Sequence, residues 1–217
     1  CSSRLTSKHL YRKAEKSDLD EIVRLNYESF LNYPLFTVLR TDCESEKTYE
    51  NLIYAFMNVY IRSNFGKATY IVREVHGKIA AFALLFPPDH KKSSVLKDFL
   101  YGAIKIVSIL GIRKALAFNK FLDASTEAFE YTVDEEHWHL DQFAVSPSMQ
   151  GQSVGSKMMQ QAVLPFLRRK NAKCLTLITN KEINRRFYDK NGFIQVFNNE
   201  VEWEGQPVDN WGFKMDL

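Results

Sequence analysis

The stretch that decides the fold is HWHLDQFAVSPSMQGQSVGS, residues 137–156. Its first part, residues 137–145, predicts a β-strand that ends at a Ser-Pro-Ser turn. A helix is predicted over residues 153–171, and a second strand over residues 173–179. Because a strand, a helix and a strand follow one another, we expect two parallel strands joined by a right-handed crossover.

The residues between that strand and that helix are suited to hold a phosphate group. Small residues let the backbone approach a ligand closely, and a helix start offers unpaired N–H groups and a partial positive charge. These properties predict a phosphate or pyrophosphate site, which we call the phosphate cradle. It comprises Gln150, Gly151, Gln152, Ser153, Val154, Gly155 and Ser156.

A different interpretation of the same residues is an ordinary turn that uses glycine only for its geometry. The residues match neither of two common nucleotide-binding motifs. The order and spacing of the Walker A motif are absent, and GxGxxG needs three glycines where only Gly151 and Gly155 are present. The residues 150–156 alone therefore leave the two interpretations open, and the rest of the chain must decide between them.

The remaining pattern predicts an α/β fold with the element order βααββ, a helical insert, then βαβαββ. We expect one domain over residues 1–217, with residues 93–131 as the helical insertion and Gly111 dividing it. The other predicted elements are strands at residues 9–14, 68–75, 78–86, 193–203 and 207–217, and helices opening at Ser17 and covering residues 44–63 and 181–190.

The composition excludes several classes of function. Hydrophobic residues make up 45% of the 217 residues, and the net charge of +3 is too small to indicate nucleic acid or a membrane surface. Three cysteines without metal-ligand spacing predict no metal site and a reducing, cytoplasmic location. Charged residues interrupt the longest apolar stretch, residues 101–122, so no membrane span is predicted.

Two motifs resemble the GNAT superfamily of N-acetyltransferases. In that family Gln/Arg-x-x-Gly-x-Gly/Ala follows an apolar "AVxP" strand end, and residues 150–155 are similar, with Ser153 in a glycine position. Residues 180–193, NKEINRRFYDKNGF, resemble the second family motif. The matching residues are Asn184, Phe187, Tyr188, Gly192 and Phe193. Trp138, Leu140 and Pro165 resemble puromycin N-acetyltransferase-like members.

The resemblance implies a GNAT-like mixed, strongly twisted sheet of about seven strands flanked by helices, with acetyl-CoA as co-substrate. It implies that pantetheine lies along Phe143, Ala144 and Val145, that the phosphate cradle holds the pyrophosphate, and that the Val145 N–H stabilises the oxyanion. It also implies that Tyr188 protonates the leaving thiolate, although Tyr188 could instead only pack. Asn184 either contacts the cofactor or caps its helix.

The general base is left open between two side chains. His139 and Asp141 alternate along their strand together with His137, so all three are expected on one face. Some family members place a base at the matching positions, and either an imidazole or a carboxylate acting through water suits the role. The other interpretation is a polar, solvent-facing strand side or a structural histidine whose hydrogen bonds are satisfied.

We expect an N-acetyltransferase that acts on a primary amine of a small molecule by direct attack in a ternary complex. The acceptor is expected between residues 27–36 and the insert. The alternatives are a protein or peptide N-acetyltransferase and an inactive acyl-CoA-binding module. No nucleic-acid or membrane partner is expected, and a homodimer stays open.

Overall fold

One open sheet of seven strands runs through the protein. The structure is a computed structural model that describes residues 10–90, 101–130, 132–133 and 135–217. The sheet order is β1-β2-β3-β4-β5-β7-β6, and all neighbours are antiparallel except the parallel pair β4–β5. The strands are β1 (Leu10–Lys13), β2 (Thr69–Val75), β3 (Lys78–Phe86), β4 (Trp138–Val145), β5 (Cys174–Thr179), β6 (Ile194–Trp203) and β7 (Gln206–Asp216).

Helices cover both faces of this sheet, and their order confirms the predicted α/β pattern. They are α1 (Leu19–Phe30), the short α2 (Pro34–Thr37), α3 (Glu46–Asn64), α4 (Ala103–Glu130), α5 (Val154–Met158), α6 (Leu164–Arg169) and α7 (Glu182–Lys190). Helix α4 is the predicted insertion between β3 and β4, and Gly111 interrupts it with φ 72° and ψ 154°. Residues 93–100 and 131 of that predicted insertion lie outside the described residues.

The predicted single helix over residues 153–171 has a π-helical turn, Met159–Val163, between α5 and α6. There the Leu164 N–H donates to the Met159 carbonyl, five residues back. Pro165 has no N–H and its ring clashes with the carbonyl four residues earlier, which a wider turn relieves. Within the described ranges, no helix has both the length and the apolarity needed to cross a membrane.

The two faces of the sheet have different coverings. Helices α5, α6 and α7 pack on one side, which we call the cradle face, around Leu140, Leu175 and Phe213. Helices α1 and α3 pack on the opposite side, the insert face, where Phe82 and Ala144 are buried. Helix α4 joins α3 and the β6–β7 hairpin in a further cluster on this side, centred on Phe118.

The centre of the sheet opens between β4 and β5. Strand β4 pairs with β3 along almost its whole length, but it pairs with β5 only at Trp138↔Leu175 and His139↔Thr176. Paired strands lie about 4.8 Å apart, so the end of this ladder marks the point where the two strands separate. We call the resulting gap between residues 140–145 and residues 177–179 the wedge.

Helix α4 closes the insert face beside the wedge. The Asn210 amide on β7 donates to the Ser125 carbonyl of α4 at 2.7 Å. The Phe129 ring of α4 packs directly on the β7 backbone at Gly212, where an added Cβ would clash with it. The same Phe129 ring has its centroid 6.5 Å from that of His139. The insertion therefore forms a wall next to the start of β4.

Candidate functional site

The wedge exposes backbone groups of β4. The Ser146 N–H donates to the Ala80 carbonyl at 2.8 Å, and antiparallel ladders bond every second residue. The backbone N–H of Ala144 therefore faces its partner Phe82 on β3. The N–H groups of Phe143 and Val145 face away from β3 and into the wedge. These two N–H groups are the ones that an extended ligand between β4 and β5 could reach.

A β-bulge places Asp141 at this opening. Leu84 pairs with Gln142 and Leu85 pairs with Leu140, which leaves Asp141 as the additional residue of β4. Its carboxylate accepts a 2.7 Å hydrogen bond from the Tyr60 hydroxyl on α3. Desolvation beneath the helices raises the pKa of Asp141 to about 6, and the bond from Tyr60 opposes that rise.

His139 lies at the start of the wedge on the same face. Its Nδ1 is 2.9 Å from the Thr176 Oγ1, and that hydroxyl donates to the Trp138 carbonyl at 3.3 Å. Because the single Thr176 proton is used, Nδ1 carries the imidazole proton and Nε2 keeps the lone pair. Desolvation, with smaller contributions from His137 and His90, lowers the pKa of His139 to about 4. The ring is neutral at pH 7.

Tyr188 approaches from the cradle face. Its ring contacts those of Phe187, Phe193 and Phe213. No residue in the described ranges forms a hydrogen bond with its hydroxyl. Desolvation raises the pKa of Tyr188 well above the usual range of a phenol, with a smaller contribution from Tyr33. The hydroxyl therefore stays protonated and free to donate.

Tyr33, in the loop between α1 and α2, lies near both Asp141 and Tyr188. Its hydroxyl accepts from the Asn180 N–H at 2.8 Å and shares a hydrogen bond of 3.1 Å with the Thr179 Oγ1, in which either hydroxyl can be the donor. Burial raises the pKa of Tyr33, and the Asp141 carboxylate adds to this rise. The Asn184 amide donates to the same Thr179 oxygen at 3.0 Å, so Asn184 holds the end of β5 in this structure.

The phosphate cradle is held in shape by its own side chains. The Gln150 amide donates to the Val145 carbonyl at 3.0 Å, and the Gln152 amide donates to the Ser148 carbonyl at 3.1 Å. The first bond inside the helix runs from the Lys157 N–H to the Ser153 carbonyl, and no side chain caps the helix start. The N–H groups of its first turn are therefore left for a ligand.

The small residues of the cradle serve different purposes. Gly151 has φ 74° and open space around an added Cβ, and Ser153 takes the left-handed conformation with φ 59° and ψ 18°. Gly155 is required for packing, because an added Cβ would lie 3.1 Å from Phe187 and 3.4 Å from Phe143. Those two rings stack with centroids 5.8 Å apart. The positive φ thus favours glycine at Gly151, whereas packing against the two rings favours it at Gly155.

Tyr60 is the residue at this site that the sequence did not indicate. It lies on α3, beside Ile61 on a helix whose buried positions are mostly apolar. Nothing in that pattern points to a carboxylate 81 residues later in the chain. The bond depends on how α3 packs against β4, which the local sequence pattern of α3 does not determine.

A group with metal-ligand chemistry lies elsewhere, at the far edge of β5. Atoms of Glu135, Cys174 and Asp216 lie within 4.8 Å of one another. The Lys214 ammonium forms ion pairs with both Glu135 and Asp216, so a cation already neutralises these carboxylates. Burial raises the pKa of the Cys174 thiol to about 11, which keeps it protonated. These properties describe an ion-pair cluster better than a metal site.

Comparison with known proteins gives a family and a fold. The model of the acetyltransferase (GNAT) family matches residues 31–193. No curated protein matches the sequence. A solved structure described as histone acetyltransferase HPA2 and related acetyltransferase, from Corynebacterium glutamicum, is similar with a TM-score of 0.63 and 20% identity. That comparison covers 95% of this chain and 96% of the other.

Two further structures have the same fold. The Drosophila melanogaster polyamine N-acetyltransferase, which forms N-acetylagmatine, has a TM-score of 0.56 and 15% identity over 96% of this chain and 99% of that one. The Escherichia coli ribosomal-protein-S18-alanine N-acetyltransferase has a TM-score of 0.55 and 14% identity, over 96% and 94%. At these identities the likeness concerns the fold, and it spans enzymes with small and with protein acceptors.

The left-handed conformation of Ser153 makes a prediction for stability. Ser153→Gly should raise the free energy of unfolding by about 1 kcal/mol, because glycine takes this conformation without the clash of a Cβ. Urea denaturation measures the change. Ser153→Ala is the control and should match the wild type, since it keeps the Cβ and the hydroxyl caps no N–H group. A loss of stability in the glycine variant would contradict the assigned backbone conformation.

Proposed function

The chain belongs to the GNAT acetyltransferase family, and from this premise we propose that it transfers an acetyl group from acetyl-CoA to a primary amine of a small molecule. Members of the family use acetyl-CoA and act on amine acceptors. The observation that carries the proposal is the wedge. Backbone N–H groups of β4 line it, and Tyr188 and Asp141 approach it from opposite faces of the sheet.

The backbone of β4 and the cradle would hold the co-substrate. When bound, acetyl-CoA supplies an activated thioester carbonyl. The N–H groups of Phe143 and Val145 are positioned to donate to pantetheine and to the oxyanion of the tetrahedral intermediate, Val145 being our candidate for the latter. The unpaired N–H groups at the start of α5 suit the pyrophosphate. Asn184 would contribute indirectly by holding the end of β5.

We assign the base to Asp141 rather than His139. An alkyl ammonium must lose a proton before it attacks, and a base is most effective when its pKa lies near the working pH. Asp141, with a pKa raised to about 6, accepts a proton better near neutral pH than His139, whose pKa is lowered to about 4. His139 would then orient the start of β4 through Thr176.

We assign the acid to Tyr188. A departing thiolate needs a proton donor, and a neutral phenol without a competing hydrogen bond is suited to provide it. The raised pKa of Tyr188 keeps this proton in place until the leaving group develops negative charge. Tyr33 lies beside both Tyr188 and Asp141, so the proton taken from the amine and the proton given to sulfur belong to groups around one opening.

The enclosure of the insert face favours a small acceptor over a peptide. The Trp203 indole at the end of β6 donates to Asp42 at 3.3 Å, and Lys114 of α4 forms an ion pair with the same carboxylate. The Phe118 ring lies 6.1 Å from Phe36 and 5.3 Å from Trp203. These contacts close the space between α2 and the β6–β7 hairpin, whereas an extended peptide requires an open groove.

Three residues also suggest a subfamily within the GNAT acetyltransferases. The resemblance of Trp138, Leu140 and Pro165 to puromycin N-acetyltransferase-like enzymes is a prediction about the subfamily. The unpaired Tyr188 hydroxyl and the raised pKa of Asp141 favour an active enzyme over an inactive acyl-CoA-binding module, because neither feature helps a protein that only binds.

An assay of free thiol release from acetyl-CoA tests the proposal directly. We expect release with at least one of a panel of small primary amines and none with tertiary amines of matched size. Peptides with free N-termini form the second arm. Thiol release with peptides alone would reassign the acceptor, and CoA binding without release in any arm would favour the inactive module.

Tyr188→Phe is the matched control variant in that assay. It removes one hydroxyl and keeps the packing against Phe193 and Phe213. With the best amine, kcat should fall by about 10²-fold, while the dissociation constant of acetyl-CoA stays unchanged. An unchanged kcat would exclude Tyr188 as the acid.

The pH profile tests Asp141. A base with a pKa of about 6 predicts that kcat/KM falls tenfold for each pH unit below that value and is level above it. Asp141→Asn should lower kcat/KM by about 10²-fold or more. Because the folded state raises this pKa, the carboxylate opposes folding above pH 6, and the asparagine variant should melt at a higher temperature at pH 7.5.

That stability difference should shrink as the pH falls below 6, where the wild-type carboxyl is itself protonated. His139→Gln is the comparison variant and should retain the same pH profile. A profile that disappears in His139→Gln but persists in Asp141→Asn would return the base role to the histidine.

A further inference from the structure

Arg73 on β2 is buried without an acidic partner. It is 3% exposed, and its Nε and Nη1 atoms are enclosed without an acceptor from the residues that the structure describes. The guanidinium lies over the Tyr11 ring, whose centroid is 5.8 Å from the guanidinium carbon. The carboxylate of Glu74, the next residue, accepts instead from Arg12 at 3.1 and 3.2 Å.

This arrangement is costly for a folded protein. The guanidinium is always charged, and a buried charge without a partner strongly destabilises a folded protein. Arg12 shows the usual solution, since it lies on the neighbouring strand and binds both Asp18 and Glu74. Arg73 therefore has the properties of a cation whose anionic partner is a ligand.

The sheet places Arg73 beside the phosphate cradle. One row of paired residues crosses four strands: Tyr11, Arg73, Ala81 and Val145. Two strand spacings of about 4.8 Å put the Arg73 Cα about 10 Å from that of Val145, where the chain enters the cradle turn. Between them lies Ala81, whose side chain is a single methyl group.

The same row of residues shows on which face of the sheet the Arg73 side chain lies. Ala81 belongs to the cluster that contains Val154 and Met158 of α5, and Tyr11 and Val145 pack against that cluster. Arg73 lies between these residues, so its side chain is on the cradle face. The same helix start that offers unpaired N–H groups thus packs on the same face of the sheet as the unpaired guanidinium.

We propose that Arg73 binds the pyrophosphate of the acyl-CoA co-substrate. This inference rests on the proposed function, and it adds a residue from β2 that lies outside both sequence motifs. The helix start supplies only partial positive charge, whereas a pyrophosphate carries full negative charges. A guanidinium provides a full charge and a planar set of donors that matches two phosphate oxygens.

Calorimetric titration with CoA measures the contribution. Arg73→Met keeps much of the side-chain volume and removes the charge, and we expect CoA to bind about 10- to 100-fold more weakly. The loss should be equally large with 3′-dephospho-CoA and absent with pantetheine, which has no phosphate. Arg24→Met, which removes an exposed charge from α1, is the matched control and should bind CoA as the wild type does.

The melting temperature of the ligand-free protein separates ligand binding from a structural role. Removal of an unpaired buried cation should leave that temperature equal or higher in Arg73→Met. A lower melting temperature would mean that Arg73 stabilises the fold, and it would overturn the proposal. A loss that vanishes with 3′-dephospho-CoA would overturn the assignment to the pyrophosphate.

The titration with CoA distinguishes an error about Arg73 from an error about the proposed function. Equal CoA affinity in wild type and Arg73→Met contradicts only the role of Arg73. A wild-type protein that binds no CoA contradicts the proposed function as well, and no property of Arg73 would then rescue it.

Discussion

The separation of β4 and β5 is the constraint on which the site depends. After two paired residues the strands diverge, and β4 keeps hydrogen-bonding groups that no strand of the described residues satisfies. Buried backbone N–H groups without partners are costly, so a gap of this kind is stable only where solvent or a ligand can reach it. Packing keeps it open: Phe143 stacks on Phe187 above Gly155, and Tyr33 holds Thr179 at the other side.

Desolvation gives the two titratable groups of β4 opposite properties. Burial disfavours charge, so it raises the pKa of a carboxyl and lowers that of an imidazole. Asp141 therefore becomes a stronger base than an ordinary aspartate, and His139 becomes a weaker one. The two side chains also have different partners, because the bulge places Asp141 next to Tyr60, whereas His139 is bonded to Thr176.

The sequence was sufficient for the elements that rest on local patterns. Strand β4, the turn and helix start at residues 150–156, the helix with Tyr188 and the insertion divided at Gly111 all follow from periodicity, glycine positions and two motifs. It was not sufficient where distant segments meet. The bulge at Asp141 depends on pairing with Leu84 and Leu85, and the bond from Tyr60 joins residues 81 positions apart. The π-helical turn before Pro165 was missed because one proline predicts either a kink or a wider turn.

The central claim is that the open edge of β4 binds the acyl-CoA backbone. Amide hydrogen exchange, followed residue by residue by NMR with and without CoA, tests it without any assumption about the acceptor. The account predicts that the amides of Phe143 and Val145 exchange more slowly when CoA is bound. The amide of Ala144, which already faces Phe82 on β3, should change little and serves as the internal reference. Unchanged exchange at Val145 in the presence of saturating CoA would contradict the account.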